Sequence, residues 1–119
     1  ALLAYLHDEP GSGVVQSALE DGAAISALNL EEVLSKLVDS GATADDAWPH
    51  LEALPLWIVD LDASAAVEIA RLRGQTRQLG LSTADRACLA LGLRLGVTVL
   101  TADRLWGRLD TGVSIQLIR

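Results

Sequence analysis

Val97-Thr98-Val99-Leu100-Thr101-Ala102-Asp103-Arg104-Leu105-Trp106 is a short β-branched, apolar run that stops at a threonine and then meets an acid opening a helical pattern. Two other stretches repeat this arrangement: AAISALNLEE (residues 23–32), with Glu32, and LGLSTADRAC (residues 79–88), with Asp85. Asn29, Ser82 and Thr101 are the small or polar stop residues before the three acids. Apolar strands are expected at 24–27, 56–59, 97–100 and 113–118, each separated from the next by helical segments. Such alternation predicts an α/β domain with a parallel, helix-covered sheet, and a fifth strand is expected before Ala1. Right-handed crossovers set all strand carboxyl ends at one edge, where open α/β sheets bind their ligands. Glu32, Asp85 and Asp103 thereby become candidates for one shared site.

The chain of 119 residues fits one domain, 1–119, and half of it is hydrophobic, supplied by Ala, Leu and Val more than by aromatics. No apolar run reaches the length of a membrane span, and no leader with a cleavage site is visible, so a cytoplasmic protein without a membrane partner is expected. Cys88 is the single cysteine, which excludes an internal disulfide and gives zinc no partner spacing; it is read as a small buried residue. The net charge of −7 argues against holding nucleic acid by electrostatics alone. That total hides an asymmetry: residues 1–70 hold 13 acids and the lone Lys36, while residues 71–119 hold eight arginines and three acids. The arginines could form a basic flank beside an acidic site, or solvate helix faces.

Between the strands, Asp8 to Gly13 reads as a turn, Val14 to Glu20 as a short helix, and Asn29 as the cap of a helix ending at Gly41. Thr43 with Asp46 opens a helix that Pro49 should kink or shorten, and Asp62 caps another carrying Ile69 and Arg73. Ser82 opens the most apolar helix, whose interior Gly92 predicts close packing against a neighbour. The last helix is expected at 103–109.

Glu32 and Asp85 each stand three residues after a capping residue, where a carboxylate satisfies helix N–H groups, and Asp103 is an ordinary helix starter. Convergence is what would add chemistry, because carboxylates brought close together repel unless a cation sits between them. Oxygen ligands without His or Cys suit Mg²⁺ or Mn²⁺. His7 and His50 lie in unrelated segments, Gly11 to Gly13 lacks the rest of a phosphate loop, and no serine has a nucleophile-elbow context.

The strings SALNLEEVLSKL, LGLSTADRACLALGLRLG and VTVLTADRLW resemble the PIN-domain family, specifically the VapC-like toxins of toxin–antitoxin pairs, and the likeness runs from LLAYLHDEPG to the closing strand. The resemblance implies a three-layer α/β/α sandwich with a central parallel sheet, and an endoribonuclease dependent on Mg²⁺ or Mn²⁺. It assigns Glu32, Asp85 and Asp103 to three of the family's four metal-site acids, and Thr101 to a polar neighbour of the site and a candidate substrate contact. Glu32 is preferred to Glu31 because it shares a helix face with Asn29 and Lys36. Arg86, beside Asp85, is the expected phosphate contact, with solvation of a helix surface as its equal alternative. The family's first acid ends a strand that precedes the segment matching ALLAYL, so the resemblance implies an N-terminally incomplete domain and little or no activity for the chain from Ala1. It further implies a homodimer, an RNA substrate and a cognate antitoxin presenting a basic residue to the acids, with Leu2, Leu3, Tyr5 and Leu6 as candidate contact surface or core.

Two other classes compete. A catalytically inert interaction module would keep the fold and bind the antitoxin only. A phospho-accepting receiver also gathers acids at strand ends, but it needs a lysine after the last long strand, and Lys36 is the only lysine.

Overall fold

All 119 residues are described in the computed structural model. The order is α1 (Leu2–Leu6), α2 (Ser12–Glu20), β1 (Ala23–Ser26), α3 (Ala27–Asp39), α4 (Ala44–Glu52), β2 (Leu56–Val59), α5 (Ala63–Thr76), α6 (Thr83–Leu95), β3 (Val99–Thr101) and β4 (Ile115–Leu117), with 3-10 turns at Arg77–Leu79 and Arg104–Arg108. Side-chain caps fix most helix starts. Thr43 Oγ1 accepts the Asp46 N–H at 3.1 Å, and Asp62 Oδ1 accepts the Ala65 N–H at 2.8 Å. Ser82 and Asp85 form a full capping box at α6.

One start differs from expectation. Ser26, not Asn29, caps α3, accepting the Asn29 N–H at 3.0 Å, so the helix begins a turn earlier and Glu32 falls in its second turn. The sequence offers two good caps three residues apart, and the earlier one wins because β1 ends directly at it. Pro49 lies inside α4, which continues to Glu52 rather than stopping. The helix at 103–109 is a 3-10 turn, Arg104–Arg108, with Asp103 as its cap.

Helices cover both faces of the strands. Ile25 and Ile58 pack with Leu2, Leu30, Val33 and Leu51 of α1, α3 and α4. Val99 packs instead with Ile69 and Leu72 of α5 and Leu89 of α6, while its neighbour Leu100 turns to Val15 and Leu19 of α2. Successive residues of β3 thus serve opposite layers, as strand alternation requires.

The expected single sheet is divided. β1 pairs in parallel with β2, from Ala23 opposite Leu56 to Ser26 opposite Val59, and β3 pairs in parallel with β4, from Val99 opposite Ile115 to Thr101 opposite Leu117. No pairing joins β1 to β3, and a slot of about 1130 Å³ lies between the two halves. The α/β class, the parallel strands and the helices on both faces agree with the sequence reading.

Gly92 explains how closely α6 approaches β3. A methyl group there would collide with Val99 Cγ2 and come within 3.3 Å of Val113 Cγ1. We expect Gly92→Ala to destabilise the fold by about 1–3 kcal/mol through overpacking, more than the roughly 1 kcal/mol that alanine gains in helix propensity. Urea unfolding measures this, and a more stable variant would show that Val99 moves aside freely.

Candidate active site

The first turns of α3 and α6 are tied together by Asn29, whose Nδ2 donates to the Ala84 carbonyl at 2.9 Å. This bond spans 55 positions of sequence and brings the carboxyl end of β1 to the amino end of α6. α6 then runs away from that edge and β3 climbs back toward it. The sequence reading treated Asn29 as a cap only; a polar residue left over beside a stronger cap was the available signal of another task.

Glu32 and Asp85 share this edge. Burial pushes the Cys88 thiol up to about 11; the Ala1 ammonium opposes the rise, and Asp85 and Glu32 add to it. Cys88, expected to be buried, is half-buried, and both Asp85 and Glu32 act on its thiol.

Each aspartate is half committed to its helix start. Asp85 is half-buried, and its Oδ2 accepts the Ser82 N–H at 2.9 Å, leaving Oδ1 free. Asp103 is exposed, its Oδ1 accepts the Leu105 N–H at 3.0 Å, and Oδ2 is free. Glu32 is exposed and forms no ion pair. These are hard oxygen donors, the kind that suits Mg²⁺ or Mn²⁺. They are not gathered into a finished site, because no three of the chain's acids, histidines and cysteine stand together closely enough to hold an ion. Asp103 belongs to the β3–β4 half and Glu32 to the β1–β2 half, so the slot divides the set.

Two expected substrate contacts are corrected. Arg86 is 6% exposed, with Nη1 donating to the Ile69 carbonyl at 3.0 Å and Nη2 to Thr83 Oγ1 at 3.3 Å. Its position on α6 turns it into the α5–α6 interface, where no phosphate can reach it. Thr101 is also 6% exposed, and its Oγ1 accepts the Asp103 N–H at 3.0 Å. It fixes the turn that presents Asp103 and offers nothing to a substrate. The other arginines of the second half, including Arg71, Arg73, Arg104 and Arg108, are exposed.

Comparison with known proteins follows the same outline. The chain is similar to one in the crystal structure of DNA-bound VapBC from Salmonella typhimurium, with a TM-score of 0.74 and 17% identity, over 99% of this chain and 92% of that one. It is similar also to a chain of VapBC2 from Rickettsia felis bound to a DNA fragment from their promoter, with a TM-score of 0.72 and 16% identity, over 98% of this chain and 91% of that one. At such identities the likeness is one of fold. No curated protein matches the sequence. The family model for the PIN domain matches residues 1–112, and the chain therefore belongs to the PIN domain family.

Proposed function

We propose that this protein is the toxin of a VapBC-type toxin–antitoxin pair and an endoribonuclease dependent on Mg²⁺ or Mn²⁺. The observation that carries the reading is the Asn29–Ala84 bond, which draws the starts of α3 and α6 together and puts Glu32 and Asp85 at one strand-end edge. Family membership and the two VapBC neighbours support it.

Asp85 and Asp103, with Glu32, would hold the cation, which when bound supplies an activated water and positive charge beside the phosphate. The chain's own contribution is orientation. The Ser82 N–H fixes Asp85 through one oxygen and the Leu105 N–H fixes Asp103 likewise, so that each presents its second oxygen in a constant direction. Thr101 holds the backbone of Asp103 in place. Exposed arginines of the second half would draw RNA toward an otherwise acidic molecule. The antitoxin partner would offer a basic side chain to the same carboxylates, since guanidinium pairs well with them. A homodimer completes the proposed assembly.

One observation favours a second reading, the inert interaction module: the three acids do not form a ready cluster. A cleavage assay decides between them. We expect little or no cleavage of RNA by the chain from Ala1, and, with the family's first strand and acid present, cleavage in millimolar Mn²⁺ that stops on addition of chelator. Cleavage that persists in chelator removes the metal from the proposal, and a chain extended to include the first strand and its acid that still fails to cleave at every Mn²⁺ concentration favours the inert module.

A further inference from the structure

Arg86 is an unfavourable residue for the place it occupies. It is buried between α5 and α6, its Nε has no partner, and no carboxylate pairs with its charge. An apolar side chain of similar volume would pack there without giving up the hydration of a cation. The best-attested use of a buried ionic group is to specify one arrangement of its neighbours rather than to add stability. Its bonds show which arrangement. Nη1 donates to the Ile69 carbonyl of α5 at 3.0 Å, and Nη2 donates to Thr83 Oγ1, one turn back on α6, at 3.3 Å. Neither bond satisfies a helix N–H, so neither belongs to the capping of α6. Thr83 is the first residue of that helix and Asp85 the third, so the pair of bonds fastens the turn that carries Asp85 to a point within α5. A guanidinium is planar and keeps its nitrogens at a set separation, so bonding through two of them constrains rotation as well as distance.

The same turn is held from α3 as well. Asn29 Nδ2 donates to the Ala84 carbonyl at 2.9 Å, while its Oδ1 accepts from Ser26 Oγ at 2.5 Å, which leaves the amide one orientation. Ser82 and Asp85 then close the turn on itself through the capping box. Thr83, Ala84 and Asp85 are thus three successive residues with three separate attachments, to α5 through Arg86, to α3 through Asn29, and to the residue before the helix. The starts of α4 and α5, which carry no candidate site residue, are each held by one side-chain bond within three residues. The extra attachments fall on the turn whose carboxylate has a free oxygen at the strand-end edge. A supporting shell of this kind matters to function because a displacement of about 1 Å in a reacting or ligating group can lower a rate about 100-fold.

We propose that Arg86 is a positioning residue for Asp85: together with Asn29 it clamps the first turn of α6, so that the free Oδ1 of Asp85 keeps a fixed direction at the strand-end edge. This role rests on Asp85 being a metal ligand, but the first measurement does not. The amides of positions 85 and 86 donate to the Ser82 hydroxyl and carbonyl, and their hydrogen exchange reports on the turn. Arg86→Met removes both bonds and keeps the bulk, and is expected to speed exchange at these two amides about tenfold, with residues 87–95 little changed. Thr83→Val removes one bond and keeps the shape, so it should give a smaller increase, and Thr83→Ser, which retains the hydroxyl, should give none. The second measurement uses the chain extended to include the first strand and its acid. Arg86→Met should weaken Mn²⁺ binding, followed by electron paramagnetic resonance, and lower kcat, each by about 10–100-fold, with KM for RNA unchanged. Thr83→Val should fall between this variant and the parent, and Thr83→Ser should match the parent; these two variants decide the matter if Arg86→Met does not fold. The proposal is overturned if exchange at positions 85 and 86 is unaltered, which would mean no clamp. It is overturned also if exchange quickens while Mn²⁺ affinity and kcat stay at the parent's values, which would make the clamp structural only. An extended parent that neither binds Mn²⁺ nor cleaves RNA overturns the metal reading itself, and quicker exchange in Arg86→Met would then mark helix anchorage alone.

Discussion

Asp85→Asn should reduce Mn²⁺-dependent RNA cleavage by about 100-fold or more while costing the fold only about 0.3–1 kcal/mol. The two effects separate because the two oxygens of Asp85 have different duties. Oδ2 accepts the Ser82 N–H, and an amide oxygen at the same place can still do so. What the substitution removes is the charge, which matters modestly to the helix dipole and greatly to a divalent cation. Ser82→Ala supplies the reverse case. It deletes the hydroxyl that accepts the Asp85 N–H at 3.0 Å, an N-cap loss worth about 1 kcal/mol, and leaves the carboxylate in place. We therefore expect Ser82→Ala to melt a few degrees lower than the parent and to keep most of its cleavage rate. The comparison is read from melting curves and initial rates on the same preparations. If Asp85→Asn kept full activity, Asp85 would be a helix cap and nothing more, and the shared-metal reading would fail at its centre.

The parts of this fold that were legible in the sequence are those governed by local chemistry. Thr43, Asp62 and Ser82 announce their helices because the hydroxyl or carboxylate that caps a helix acts within three residues. Leu56–Val59 is a strand in sequence and in structure because an unbroken run of apolar, β-branched and aromatic residues favours extended backbone. Asn29 marks the limit of that kind of reading. Its side chain was free to bond Ala84 only because Ser26 had taken the cap, and nothing near Asn29 in sequence names a partner 55 positions away. Arg86 shows the same limit from the other side. An arginine next to a candidate metal ligand invites a phosphate, yet successive helix positions point about 100° apart, so the neighbour of Asp85 faces the core. The acids themselves were legible as helix starters at strand ends. Whether they assemble depends on the distance between two half-sheets, which no spacing in the sequence encodes.

Arg86→Ala should destabilise the protein by about 2–3 kcal/mol, and Arg86→Met by less than about 1 kcal/mol, because the stem of this side chain matters more than its charge. The guanidinium is buried between α5 and α6 with two of its nitrogens bonded, to the Ile69 carbonyl and to Thr83 Oγ1, and with Nε lacking any partner. No carboxylate pairs with it. A buried cation without a counter-charge bears the full cost of leaving water, and hydrogen bonds to neutral oxygens recover only part of it. Methionine fills much of the same volume, removes the charge together with the unsatisfied nitrogen, and leaves Thr83 near enough to the surface to find water. Alanine opens a cavity in the α5–α6 interface beside the Ile69 carbonyl. Lysine keeps the charge but cannot form the two-pronged contact, so Arg86→Lys is expected to resemble alanine more than methionine. Denaturant unfolding of the three variants gives the order directly. Should methionine prove as damaging as alanine while lysine is tolerated, the positive charge would be stabilising where it lies, which would require a negative partner near Arg86, for which Asp85 on the preceding position is the first candidate.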